Sequence, residues 1–146
     1  MKKILTFMTR SALETKKAGK TLANYLKAGD VVALHGPLGA GKTTLVKGIA
    51  VSLGVHSEKQ VSSPTYVLIH EYQGRKKIYH LDWYRLKTVK DSDAEFAAEC
   101  FESDGITLIE WPERGKGLLP KRTVTVHMTH QGPTTRRIRI ALPAKQ

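Results

Sequence analysis

Residues 35–44, HGPLGAGKTT, follow the apolar run Val31–Leu34 and set three glycines before Lys42, Thr43 and Thr44. Gly36, Gly39, Gly41, Lys42 and Thr43 fit the spacing G-x-x-x-x-G-K-[ST] of a phosphate-binding loop. A chain of phosphates is wrapped by inward-pointing backbone N–H groups, and the bends that aim them are obstructed by a β-carbon, so glycine occupies them. A helix starting near Lys42 would add its positive dipole end beneath the same phosphates. Lys42 would then lie along the β and γ phosphates of a nucleotide, and the Thr43 hydroxyl would be offered to Mg²⁺.

Magnesium prefers octahedral oxygen coordination, so a second protein group should approach it from the end of a neighbouring strand. Two acids qualify: Asp82 ends IYHLD and Glu110 ends ITLIE, both after mostly apolar runs. His80 stands two positions before Asp82, on the same strand face, which permits a hydrogen-bonded pair. The more frequent role of such a histidine is structural, and His35 and His70 are read in the same way. In SSPTY, residues 62–66, hydroxyls flank a rigid proline, either as a plain turn or as a loop in which Thr65 senses a γ-phosphate. Trp111 offers an indole face to a base or to a partner, or serves the core.

These residues need a strand–loop–helix unit behind them. Leu45, Val46, Ile49, Ala50 and Leu53 give one apolar helical face after the loop, closed by Gly54. Before the loop, residues 3–8 read as an edge strand. Ser11 then caps a helix with Glu14 three positions on, its apolar face running through Leu13, Ala18, Leu22, Tyr25 and Leu26 to a stop at Gly29. TYVLIHEY and KIYHLDWY form a hairpin about QGRK, residues 91–101 form a helix capped by Asp91 or Ser92, and ITLIEW is a strand. TVTVHM and RIRIAL alternate with period two: Val124, Val126 and Met128 face the core with Ile138, Ile140 and Leu142, while Arg137 and Arg139 face away.

The 146 residues suit a single domain with one core. The lone Cys100 can form no internal disulfide, and the opening MKKILTFMTR has too short an apolar stretch for a signal peptide, so a cytoplasmic protein is expected. No run is long enough to cross a bilayer. The formal charge of +11 favours acidic or phosphate-rich partners, and Arg75-Lys76-Lys77, Lys121-Arg122 and Arg136-Arg137-Arg139 suggest one basic face.

Together GPLGAGKTTLVKGIA, SSPTYVLIHEY, YHLDWYRL and LIEWPERG resemble the TsaE family, small bacterial ATPases required for threonylcarbamoyladenosine formation in transfer RNA. The resemblance implies an α/β, P-loop NTPase-like three-layer fold about a central mixed parallel/antiparallel sheet. It also implies Mg²⁺-dependent ATP binding with slow hydrolysis, and association with TsaB and TsaD, the transferase, which ATP turnover would reset between cycles. Transfer RNA would be met indirectly, with the basic face as its possible contact. By position, Gly36, Pro37, Leu38, Gly39, Ala40, Gly41, Lys42, Thr43 and Thr44 would hold ATP, and Thr43 with Glu110 and the Walker-B-like Asp82 would hold Mg²⁺. Thr65 becomes a switch-like threonine; Ser11, Trp111, Glu113 and Arg136 join the nucleotide contacts. Two stretches depart from the family pattern: KTVKDSDAEFAAECFES lacks a glycine, and TTRRIRIAL fits loosely.

Three other activities share parts of this pattern. A small-molecule kinase uses the same loop but needs an arginine-rich lid, which residues 91–105 do not offer. A guanine-nucleotide switch carries N-K-x-D, absent here, and a direct RNA binder would rest on charge without a recognisable RNA module.

Overall fold

In the computed structural model, residues 3–64, 68–86 and 89–144 are described. Seven strands, β1 (Lys3–Thr9), β2 (Val31–His35), β3 (Ile69–Gln73), β4 (Lys77–Asp82), β5 (Ile106–Glu110), β6 (Val124–His130) and β7 (Arg136–Leu142), form one sheet ordered β1-β7-β6-β2-β5-β4-β3. β6, β2, β5 and β4 run parallel, while β3, β7 and β1 pair antiparallel with their neighbours, so the expected mixed α/β sheet is present. Helices α1 (Ala12–Ala23) and α2 (Lys42–Ser52) cover one face, and α3 (Asp91–Glu102) covers the other over β2, β5 and β4.

Alternation along the strands fixes this layering. Val32 and Leu34 of β2 join Leu108, Val126 and Ile140 beneath α1 and α2. Val31, Leu81 and Ile109 turn the other way and pack with Ala97 of α3 and Trp83. Val124, Val126 and Met128 meet Ile138, Ile140 and Leu142 in the core as the period predicts, with Arg137 and Arg139 exposed. The helices of the first face pack closely because two glycines sit at their crossing. A β-carbon on Gly19 would stand 2.5 Å from the Leu45 carbonyl, and one on Gly48 would collide with the Lys16 carbonyl.

Several local expectations change. Ser11 does cap α1, its hydroxyl accepting from the Glu14 N–H at 3.1 Å, and Glu14 accepts in return from the Arg10 N–H at 2.9 Å. The buried stripe, however, is Thr15, Ala18, Gly19, Leu22 and Ala23; Leu13 is 62% exposed. The helix stops at Ala23 with Asn24 as its cap, so Tyr25 and Leu26 lie beyond it. Gly29, at φ +86°, shapes a later turn whose N–H donates to the Gly105 carbonyl at 2.9 Å. α3 begins at Asp91 with Lys90 in the cap position and no side-chain cap, which leaves Asp91 and Asp93 to favour the first turn through the helix dipole.

The basic clusters do not gather on one face. Arg75 and Lys76 precede β4, which Lys77 begins, and Lys121–Arg122 precede β6, all at the amino ends of the parallel strands. Arg136 begins an antiparallel strand and therefore lies at the opposite pole, beside the glycine-rich loop. No helix among the described residues is long and apolar enough to cross a membrane.

Candidate functional site

The loop between β2 and α2 lies at the carboxyl end of the parallel strands, where ligands of open α/β sheets bind. Gly36 leaves β2 so close to β6 that a β-carbon would stand 2.8 Å from the Met128 carbonyl oxygen. Gly41 occupies the cap position of α2 at φ +99°, a left-handed conformation that side chains resist. It offers no capping side chain, and the first turn holds no acid. A helix start without such partners suits an anion.

Lys42 is buried, and its ammonium has two neighbours: it donates to the Gly36 carbonyl at 2.7 Å and lies 4.0 Å from the centroid of the Trp111 ring. Burial lowers its pKa, opposed by the negative charges of Glu110, Asp82 and Glu113. Trp111 adopts φ +58°, ψ +48°, an uncommon backbone for a bulky residue, and this turns the chain directly after β5 into a 3-10 segment, Pro112–Leu118.

Asp82 and Glu110 end adjacent parallel strands as register partners and are 1% and 4% exposed, so neither merely meets solvent. They share a cleft with Leu38, Lys42, Thr43 and Trp111. Asp82 is held through both oxygens: Oδ1 accepts from the Tyr84 N–H at 2.7 Å and Oδ2 from the Ser63 hydroxyl at 3.3 Å. Glu110 accepts at Oε2 from His80 Nε2, 2.7 Å away. His80 thus pairs with the acid of the next strand rather than with Asp82 on its own.

A second cleft opens on the other side of the loop, lined by Arg10, Ser11, Thr15, Thr44 and Arg136. Gly39, Gly41 and Thr44 belong to both clefts. The Arg136 guanidinium clasps the loop from outside, Nε donating to the Ala40 carbonyl at 3.1 Å and Nη2 to that of Gly39 at 3.3 Å. In a trans peptide the N–H points opposite to its carbonyl, so the Gly41 N–H is turned away from Arg136. Pro37 is exposed, and its carbonyl accepts from the Ala40 N–H at 3.1 Å.

Of the residues expected at the site, Lys42, Thr43, Asp82, Glu110 and Trp111 share one cleft, and Ser11 and Arg136 share the other. Glu113 lies to one side, its carboxylate 4.0 Å from His35 Nδ1. Thr65 is outside the described residues. Sequence reasoning gave no role to His127, which stacks on His35 with ring centroids 4.6 Å apart, or to Tyr72, whose hydroxyl reaches His80. Period-two spacing alone could have marked Tyr72, since His70, Tyr72, His80 and Asp82 all alternate along one hairpin.

Among the described residues no group of three His, Cys, Asp or Glu is arranged to hold a metal. Two carboxylates and a threonine hydroxyl nevertheless supply hard oxygen donors of the kind Mg²⁺ accepts while it keeps several waters.

The chain is similar to several known proteins. A family model described as "Threonylcarbamoyl adenosine biosynthesis protein TsaE" matches residues 9–138. The tRNA threonylcarbamoyladenosine biosynthesis protein TsaE of Treponema pallidum is 40% identical over 134 residues, covering 92% of this chain and 98% of that protein. The protein of the same name from Bacillus subtilis is 37% identical over 137 residues, covering 93% and 84%. The crystal structure of Bacillus subtilis YdiB superposes with a TM-score of 0.78 at 32% identity, covering 99% of this chain and 88% of that one.

Proposed function

The chain belongs to the TsaE family of threonylcarbamoyladenosine biosynthesis, and on that premise we propose that it is a Mg²⁺-dependent ATPase serving this tRNA modification. The observation that carries the proposal is the uncapped start of α2, wrapped by the glycine loop and placed beside two buried strand-end carboxylates. An anion site flanked by acids has a use for a ligand that brings both phosphate and a divalent cation.

On this reading the amides of Gly39 and of residues 41–44 receive the phosphates, since the Ala40 N–H is taken by the Pro37 carbonyl. Lys42 exchanges the Gly36 carbonyl and the Trp111 ring for the β and γ phosphates, and stabilises charge as it shifts during transfer. The chemistry magnesium would supply here is positive charge against that of the phosphates. Thr43 would donate its hydroxyl oxygen to that ion. Glu110 is the better placed second ligand, because His80 engages only Oε2, whereas both oxygens of Asp82 already accept hydrogen bonds. Asp82 then orients water near the metal. The Ser11 and Arg136 cleft receives the nucleoside, and Thr65 is assigned to the γ-phosphate.

The transferase chemistry lies elsewhere. The protein's role is to bind a TsaB–TsaD complex and reset it through ATP turnover, meeting transfer RNA only through that complex. Its place of action is the cytoplasm, and its residues form one functional domain.

Calorimetry with ATP, with and without Mg²⁺, tests the binding step, and Lys42→Ala and Glu110→Gln are its controls. Absence of binding by folded wild-type protein at millimolar ATP would overturn the proposal. Multi-cycle tRNA modification with TsaB and TsaD, with and without this protein, tests the role; equal turnover in its absence would remove it.

A further inference from the structure

A string of hydrogen bonds, buried at its inner end, leaves the site and returns to the surface. Glu110 Oε2 lies 2.7 Å from His80 Nε2, His80 Nδ1 lies 2.9 Å from the Tyr72 hydroxyl, and that hydroxyl lies 3.1 Å from the Ser62 carbonyl. His80 is fully buried and Tyr72 is 4% exposed, so water does not compete at the two inner bonds. Burial pushes the Tyr72 hydroxyl up to about 12, which keeps its proton available as a donor. His70 Nδ1 stands 3.1 Å from the same Ser62 carbonyl and 3.3 Å from the Tyr72 oxygen.

Tyr72 has one proton and two acceptors within reach, the Ser62 carbonyl and His80 Nδ1. A carboxylate can only accept, so His80 donates to Glu110 from Nε2, and a singly protonated ring then accepts at Nδ1. In that setting Tyr72 turns toward His80, and His70 Nδ1–H serves Ser62. The direction of the tyrosine hydroxyl therefore depends on how Glu110 holds His80. The next residue, Ser63, donates to the neighbouring acid Asp82 at 3.3 Å. Two consecutive exposed residues are thus tied to the two strand-end carboxylates, one directly and one through two rings.

We infer that His80 is a positioning residue for Glu110, and that with Tyr72 it transmits the state of that carboxylate to the exposed Ser62 and Ser63. The physical coupling is a property of the protein alone; its biological input, a metal–nucleotide complex at Glu110, rests on the function proposed above.

The test is therefore made first without nucleotide. In the full chain, Glu110→Gln shifts the Ser62 carbonyl carbon and the Ser63 amide in NMR spectra. Removing a charge acts through space as well as along bonds, so the same substitution is repeated in a Tyr72→Phe background, where the path is cut but the field remains. The Ser62 shift is expected to lose more than about half of its size there. His80→Leu should have the same effect, and His80→Gln, which keeps a donor toward Glu110, should restore part of the coupling. Near-ultraviolet circular dichroism confirms that each variant is folded, and Tyr72→Phe carries the conclusion if the His80 variants are not. An equal Ser62 shift with and without the Tyr72 hydroxyl overturns the relay.

Addition of Mg²⁺ and a slowly hydrolysed ATP analogue then supplies the proposed input. Tyr72→Phe is expected to bind it within about threefold of wild type while losing the Ser62 response. A wild type that shows the nucleotide-free coupling but no binding sustains the relay and overturns the ATP assignment alone.

Discussion

The ammonium of Lys42 lies 4.0 Å above the centroid of the Trp111 ring, held there while it donates to the Gly36 carbonyl. On the function proposed above, both contacts stand in for phosphate and are released when it binds. The chain has two tryptophans, and the other, Trp83, is 3% exposed within the core beneath α3. Tryptophan emission should therefore change on addition of Mg²⁺ and ATP, and Trp111→Phe should abolish the change while leaving the Trp83 signal. A constant spectrum at saturating ligand would show that Lys42 does not leave the ring.

Lys42→Ala removes the one ammonium that lines the carboxylate cleft among the described residues and should weaken ATP binding by at least about tenfold, roughly 1.4 kcal/mol. Glu110→Gln should instead reduce the difference between affinities measured with and without Mg²⁺. Calorimetry on both variants separates these two effects.

Arg136→Ala leaves the Gly39 and Ala40 carbonyls without the guanidinium that turns them outward. Loss of charge-assisted bonds of this kind costs about 1.5 kcal/mol or more, and nucleotide affinity should fall accordingly. Arg136→Lys should recover only part of it, because an ammonium cannot span two carbonyls as a planar fork does.

Acid should weaken the fold through His35. Burial, then the neighbouring His127, lowers its pKa below the ordinary histidine value, while Glu113 opposes them. The unfolded chain then binds a proton more readily than the folded one, so this contribution is fully present above the unfolded value. It declines as pH falls from there through the folded value. Urea unfolding at neutral and mildly acidic pH should show this loss, and His127→Gln should diminish it by removing the like charge. An identical pH dependence in both proteins would refute the assignment.

Gly48→Ala should destabilise the protein by about 2 kcal/mol or more, as overpacked contacts do, because its β-carbon would meet the Lys16 backbone. The denaturation midpoint measures this directly. Helix propensity alone predicts the opposite sign, since alanine is the better helix former.

What could be read from the sequence followed the range of the interactions concerned. The glycine loop, α2 and the β6–β7 alternation are set by neighbours a few positions apart, and their register was legible in the residues themselves. The end of α1 was not. Gly29 carries the expected positive φ, but its N–H answers to Gly105, so the stop signal belongs to a turn fixed by tertiary pairing. Leu13 matched the helical spacing yet faces outward, because the close approach of α2 selected the stripe of small residues Thr15, Ala18 and Gly19. At the site, Asp82 and Glu110 were marked by their places at strand ends. The pairing of His80 with Glu110 was not, because it depends on β4 and β5 being neighbours in the sheet.

Arg136 reaches the Ala40 carbonyl from 96 positions downstream. The loop thus receives its outer support only once β7 has docked on β6. During synthesis, a nascent chain that has already emitted the whole glycine motif still lacks this brace, and its affinity for ligand should mature only with the last strand pairing. On the proposed function, capture of a phosphate tail then becomes a checkpoint on completed folding.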